Sequence, residues 1–379
     1  MLKSTSRVLS LFVPAAFLML ACLTLQGREK ANRHHKTNQY REVDLVSDVP
    51  GAAALQDATL VNAWGLSFSP TGPFWVSATE SGKSVVYAVT NDVLGGISVT
   101  KLPLEVTIPG EGNVTGQVFN NTSGFNSNLF LFVSEDGTLS GWRPALGTAA
   151  ETLTTRTGAV YKGVTLATTP TGPVLLAANF SEATIDVYGA DLTLRGQFSD
   201  RHAPDGYAPF NVQSVAGQVF VTFAKQDADK EDDDPGAGRG LIDVFNPRTG
   251  KFQRFATGSD AGGRLLEINA PWGVALAPRN FGKHAGQLLV GNFGSGTIMA
   301  FEADGDFKGL LNDANDQPVR IDGLWGLKFG NGGLAGVAGT LYFTAGPAGE
   351  THGLFGSLQP IRVHGDGDDD DDDDGDHDR

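Results

Sequence analysis

Cysteine is almost absent: Cys22 is the single example in 379 residues, and it lies inside an apolar leader. A mature chain without that leader has no thiol, which excludes a disulfide framework, dithiol redox chemistry and cysteine-ligated metals. Nucleophile signatures are missing too. There is no G-x-S-x-G elbow, and Ser295 sits in the repeat turn GNFGSG. The glycine-rich stretch Gly110 to Gly116 lacks the Lys-Ser/Thr of a phosphate loop, and the seven histidines are scattered with no H-E-x-x-H spacing. Each histidine reads as a surface or turn residue, and nothing at this level names a catalytic group.

Charge is lopsided rather than absent. The formal net charge is −15, but Asp366, Asp368 to Asp374, Asp376 and Asp378 crowd the last residues, and without that tail the balance is about −6. Such a value argues against a nucleic-acid partner only weakly, through general repulsion of polyanions. Asp370, Asp372, Asp374 and Gly375 spell half of a calcium loop, but no position-12 glutamate and no flanking helices follow, so residues 363–379 read as a disordered acidic tail.

At the other end, Lys3 and Arg7 precede an apolar run from Val8 to Leu25, the plan of a secretory signal over residues 1–27. Met19-Leu20-Ala21-Cys22 resembles a bacterial lipobox, so Cys22 is a candidate for lipidation and for the sole membrane contact of an otherwise exported, periplasmic, envelope-anchored or extracellular protein. The basic stretch REKANRHHK within residues 28–39 is a spacer with nothing to bury.

What is abundant is turn chemistry. Fifty glycines and eighteen prolines in a chain that is 40 % hydrophobic fit a turn-rich globular protein with a real core. The order lies in a repeat: Trp64-Gly65-Leu66, Thr115-Gly116-Gln117, Lys162-Gly163-Val164, Phe210-Asn211-Val212, Trp272-Gly273-Val274 and Trp325-Gly326-Leu327. Their central residues are 51, 47, 48, 62 and 53 positions apart. Each copy continues into further short apolar segments separated by turns, which are strands and not helices. Six copies of about fifty residues predict an all-β, six-bladed β-propeller of four-stranded blades over residues 40–362. The sixth copy runs short of chain after Pro360, and Tyr40 to Ser47 is expected to supply its missing strand, closing the ring without open edges.

The Trp-Gly-apolar strand starts and Asn-Phe turns resemble NHL-repeat propellers. More narrowly, NAWGLSFSPTGPFWVS at Asn62 to Ser77, FAKQDADKEDD at Phe223 to Asp233 and LWGLKFGNG at Leu324 to Gly332 resemble a family of exported bacterial proteins of uncharacterised function, some of which carry C-terminal envelope sorting signals. That resemblance implies fold and export and leaves activity open; the poly-Asp ending departs from it, having no apolar sorting helix.

Candidate sites follow from the geometry of a propeller, whose inner strands line a central channel. Asn62, Asn113, Asn211, Asn269 and Asp322 begin such strands and are channel-binding candidates. Lactonase-like propellers, similar in architecture alone, hold a divalent metal there with a Glu, Asn and Asp set, which makes Ca²⁺ the possible cofactor; otherwise these residues cap turns. Trp64, Trp272 and Trp325 are either an aromatic wall for a sugar or, as repeat-equivalent residues, core wedges between blades. The insertion KQDADKEDDDPGAGRG at Lys225 to Gly240 lies outside the core, and Asp227, Asp229, Asp232 and Asp233 within it are a candidate surface calcium site. The expected function is an exported, non-catalytic scaffold that binds a protein, glycan or small ligand at one face. The alternatives are a Ca²⁺-dependent lactonase-like hydrolase in the channel and a structural envelope lipoprotein.

Overall fold

The structure, a computed structural model, describes residues 38–361 apart from 92–95, 112, 260–261 and 264. The leader with Cys22, most of the linker and the acidic tail lie outside the described residues.

The described residues form twenty-five strands. After β1 (Tyr40–Ser47) and the two-residue β2 (Leu55–Gln56), blade 1 is β3 (Ala63–Ser67), β4 (Phe74–Ala78), β5 (Lys83–Asn91) and β6 (Ile97–Thr107). Blade 2 is β7 (Val114–Phe119), β8 (Phe130–Ser134), β9 (Thr138–Trp142) and β10 (Glu151–Thr155). Blade 3 is β11 (Tyr161–Thr169), β12 (Gly172–Asn179), β13 (Thr184–Gly189) and β14 (Leu194–Phe198). Blade 4 is β15 (Tyr207–Val215), β16 (Gln218–Lys225), β17 (Gly240–Asn246) and β18 (Lys251–Ala256). Blade 5 is β19 (Pro271–Leu276), β20 (Leu288–Asn292), β21 (Ile298–Phe301) and β22 (Phe307–Leu310), and blade 6 has β23 (Leu324–Phe329), β24 (Leu341–Ala345) and β25 (Leu354–Pro360) of its own.

Every blade is an antiparallel meander in chain order, and β1 pairs antiparallel with β25 from Tyr40↔Pro360 to Ser47↔Leu354, so the sixth sheet is completed by the start of the propeller. Each inner strand touches the next, and β23 touches β3, which closes the ring. The six-bladed propeller expected from the repeat is the fold observed, with the early strand where the short sixth copy requires it.

The repeat motif has a definite mechanical role. In all six blades the pairing of inner and second strand slips at or just before the motif, for example between Ala63 and Leu66 and between Leu324 and Leu327. A slip of this kind bends the strand and re-aims its side chains. In blades 1, 3, 4, 5 and 6 the residue before the central position gathers at the axis, Thr115 of blade 2 bonding instead to the Tyr161 carbonyl of blade 3, while the central position faces the neighbouring blade at contact distance. A Cβ on Gly116 would lie 2.8 Å from the Val164 amide nitrogen, and one on Gly273 would lie 2.6 Å from the Trp325 carbonyl oxygen. Only a residue without a side chain admits so close a neighbour. In blade 4 the position is Asn211, whose amide donates across the junction to the Trp272 carbonyl at 2.8 Å.

The core is split into layers between blades. Trp75 of β4 stacks on Phe130 of β8 at 4.0 Å and packs on Trp142 of β9, filling the wedge between blades 1 and 2. Val76, Tyr87, Tyr342 and Phe355 do the same between blades 6 and 1. The closing strand is anchored by Tyr40, which is fully buried, stacks on Phe281 at 4.7 Å and donates its hydroxyl to the Phe281 carbonyl at 3.2 Å, tying the last blade to the fifth. Tyr40→Ala removes that contact and leaves a void, a loss of about 3 to 5 kcal/mol for a large aromatic. Chemical denaturation should show a fall of that size with the ring still assembled in mild conditions; an unchanged midpoint would mean that β1 closes the ring without this anchor.

Candidate functional site: the axial mouth

Inner strands begin, and second strands end, on one face of the ring, so the loops joining second to third strands surround the axis there. The residues that precede the central positions of the motif are Trp64, Thr115, Lys162, Phe210, Trp272 and Trp325. Four of the six are aromatic and they meet. Trp64 stacks on Trp325 at 3.6 Å, Trp272 meets both edge-on at 6.3 and 6.1 Å, Phe210 packs on Trp325 at 5.6 Å, and Phe293 stacks on Trp325 at 4.0 Å. Contacts between blades 1 and 5, which are not neighbours, place these tryptophans at the axis. They are buried as the wedge reading expects, but the inter-blade wedge between blades 1 and 2 is made by Trp75 and Trp142, while the Trp-Gly tryptophans plug the centre.

Lys162 breaks the aromatic ring. Its side chain is 1 % exposed, and its ammonium lies 5.4 Å from the centre of the Trp64 ring and 5.9 Å from that of Phe180. It donates to Glu135, from the β8–β9 loop, and to Asp232, from the β16–β17 insertion, at 2.8 Å. Burial alone would pull the ammonium below its ordinary pKa, but Glu135 and Asp232 outweigh burial and hold it above. Glu135 is pushed up by its own burial, against the pull of Lys162.

Two more carboxylates stand around this pair. Glu350, in the β24–β25 loop, accepts from the Asn62 amide at 2.7 Å, and Asn62 in turn accepts from the Trp325 indole at 3.1 Å, so the plug and the acidic rim are joined by hydrogen bonds. Burial raises the Glu350 pKa. Asp233 has one carboxylate oxygen enclosed without a partner, and burial, partly countered by Lys162, pushes its pKa up to about 7.

The five channel candidates fall into three registers. Asn62 and Asn113 lie three residues before the central glycine with left-handed backbones, φ 50° and 61°, a conformation asparagine tolerates. Asn269 and Asp322 lie one residue earlier, ahead of the left-handed Ala270 and Gly323; Asn211 replaces the glycine itself. Asn62 and Asn113 reach the cluster, Asn113 through hydrogen bonds to Glu135. Asn211 is spent on the blade junction, Asn269 accepts from the Gly236 amide at 2.5 Å, and the exposed Asp322 accepts from the Ala348 amide at 2.8 Å.

The insertion does not stand off at the rim. Gln226 donates to the Phe180 carbonyl at 2.6 Å, Asp234 binds Lys225 and Arg239, and Gly236 is held by Asn269, so the loop folds across the mouth. Its four candidate calcium ligands are thereby divided. Asp232 and Asp233 join the Lys162 cluster, Asp227 accepts from the amides of Glu231 and Asp232, and Asp229 stays exposed. Among the described residues no group of three or more His, Cys, Asp or Glu is arranged to hold a metal ion.

Lys162, Glu135 and Glu350 were not singled out from the sequence. Lys162 was legible in principle, as a charged residue at a position where three other blades carry tryptophan; the loop carboxylates carry no register of their own.

The raised Asp233 pKa gives a signed prediction. An acid whose folded pKa lies above its unfolded value contributes stability that is fully present below the unfolded value, near 3.8, and is lost as pH rises through about 7. Asp233→Asn should therefore flatten the decline in unfolding free energy between pH 4 and pH 8 measured with denaturant. Parallel profiles for variant and wild type would refute the assignment.

No family model matches the chain. It is 30 % identical to the uncharacterized protein R648 of Acanthamoeba polyphaga mimivirus over 305 residues, which is 75 % of this chain and 72 % of that protein. It is 29 % identical to the uncharacterized protein L690 of the same virus over 342 residues, 84 % of this chain and 85 % of that one. These relatives are viral, so the bacterial origin and export expected from the sequence draw no support from them. Among solved structures it is similar to soluble aldose sugar dehydrogenase from Escherichia coli (12 % identity, TM-score 0.49, 85 % of this chain and 100 % of that one) and virginiamycin B lyase from Staphylococcus aureus (12 %, 0.47, 85 % and 99 %). A gluconolactonase from Xanthomonas campestris gives 14 % identity, TM-score 0.46, and 80 % and 87 % coverage. Likeness at that level carries nothing about activity. Relationship rests on the sequence match, by which the chain belongs to the family of mimivirus protein R648.

Proposed function

We propose that this propeller is a non-catalytic binding scaffold whose ligand site is the axial mouth around Lys162. The observation that carries the reading is a buried ammonium at a position where three other blades place tryptophan, held by carboxylates from separate loops. A fold that needed only a plug would be served by a fourth tryptophan. The aromatic plug beneath closes the axis, so a ligand approaches from the loop side, past the exposed Asn113, Asp232 and Asp322.

The rival, a Ca²⁺-dependent lactonase-like hydrolase, needs a divalent cation among the same oxygens. Here the Lys162 ammonium already stands between Glu135 and Asp232. Bringing a second cation within about 4 Å of it adds repulsion on the order of 4 kcal/mol per unit charge at an effective dielectric of about 20. The residues of this mouth do not fit the ion.

Tryptophan emission reports on the site, because Trp64, Trp272 and Trp325 form its floor. A panel of sugars, amino acids and organic acids should contain members that shift the emission of wild type, with at least tenfold weaker response in Asn113→Arg/Asp322→Arg, whose long side chains crowd the entrance. Ligands that bind both proteins equally would move the site elsewhere on the surface.

The reading also includes export, supported by the signal-like residues 1–27. Mass spectrometry of protein from the native cell should find a chain beginning at Cys22, acylated, or shortly after it; an intact Met1 on the mature protein would remove export and lipid anchoring together.

A further inference from the structure

The two carboxylates that hold Lys162 differ in kind. Glu135 is largely buried, with a side chain 20 % exposed, in a short loop between β8 and β9. Asp232 is 71 % exposed and belongs to the turn of the β16–β17 insertion. The side of the ammonium that Asp232 covers is thus the side toward solvent. The insertion is fastened at its base, through Lys225, Asp234, Arg239 and the Gly236–Asn269 bond. Asp232 itself is attached to the rest of the turn by one backbone bond, from Asp227 N–H to its carbonyl, and by a long bond of 3.4 Å from its amide to the Asp227 side chain.

We propose that Asp232 is a built-in occupant of the ligand subsite, and that the ligand is a small organic acid whose carboxylate displaces Asp232 from Lys162. The inference rests on the reading of the axial mouth as a binding site and names its ligand class. Charge decides the class. An entering cation would have to share the cluster with the Lys162 ammonium, and a neutral sugar would replace one of its two carboxylate partners by an uncharged acceptor, leaving Glu135 as its one direct ion pair. A carboxylate replaces a carboxylate one for one, so the charge of the cluster is unchanged by the exchange. The Trp64 indole N–H, buried without an acceptor in the ring over which the ammonium sits, is a spare donor beside the same subsite.

A tethered competitor acts at an effective concentration in the millimolar range, so it weakens the apparent affinity for free acids. Removing it should do the opposite. Isothermal titration of the full chain with acetate and with glucuronate should show Asp232→Ala binding at least tenfold tighter than wild type, and Lys162→Gln in the Asp232→Ala background should abolish the gain. Because the double variant replaces a buried residue, the position is checked independently: in crystals of Asp232→Ala soaked in acetate, the carboxylate should lie within hydrogen-bond distance of Lys162 Nζ. Equal or weaker binding by Asp232→Ala, or acetate located away from Lys162, overturns the proposal. If the acids fail while other compounds still shift the tryptophan emission of wild type but not of Asn113→Arg/Asp322→Arg, the occupant idea falls and the mouth remains a binding site.

Discussion

The ring is held by backbone pressed against backbone. At five of six junctions a glycine on the inner strand lets the neighbouring blade's inner strand approach to a distance at which a methyl group would collide with main-chain atoms or, at Gly163, with Asn211. Side-chain hydrogen bonds then bridge the same gap. Thr115 donates to the Tyr161 carbonyl at 2.7 Å, Gln117 to those of Gly65 and Trp75 at 2.8 Å each, and Thr344 to that of Trp64. These are buried polar groups that would be costly unpaired, and each finds its partner in the next blade. The repeat is therefore a device for inter-blade contact more than for strand formation.

That contact fixes what lies at the axis. With the glycine facing the neighbouring blade, the preceding residues of blades 1, 3, 4, 5 and 6 gather at a narrow centre, while Thr115 of blade 2 bonds across to blade 3. Aromatic rings fill it efficiently, since they bury a large area with few rotamers to freeze. The insertion in blade 4 and the loops of blades 2 and 6 arrive above the plug because every second strand ends on that face. The site is thus a product of strand order: carboxylates far apart in sequence, at 135, 232 and 350, converge because their loops are equivalent.

This separates what could be read in the chain from what could not. The fold was legible, down to the early strand completing the last blade, because a fifty-residue period and a missing strand constrain topology strongly. The burial of the Trp-Gly tryptophans was legible; their meeting at the axis was not, since the register slip that turns them inward leaves no mark in composition. The asparagine candidates do not share one direction. Asn62 and Asn269 both open an inner strand, yet one extra residue before Gly273 moves the left-handed turn to Ala270, and Asn269 meets the insertion where Asn62 meets Glu350 and the Trp325 indole. Side-chain direction in a strand reverses with each residue, so an offset of one is enough to change the partner.

Lys162 remains the residue that the fold does not account for. A buried ion pair is weak support for stability, because removing both charges from water costs several kcal/mol per ion, and apolar residues of similar size often do as well or better. Blades 1, 5 and 6 demonstrate the apolar solution at the equivalent place in this same ring. Lys162 also requires Glu135 and Asp232 as direct partners, and its charge pulls on Glu135, Asp233 and Glu350 against the burial that raises their pKa values, so four loop carboxylates are gathered around a position that tryptophan could fill unaided. Packing gives no reason for that expense. A charged group kept at the solvent-facing end of a sealed axis, against the preference of its own repeat, is the feature on which the proposed ligand site rests.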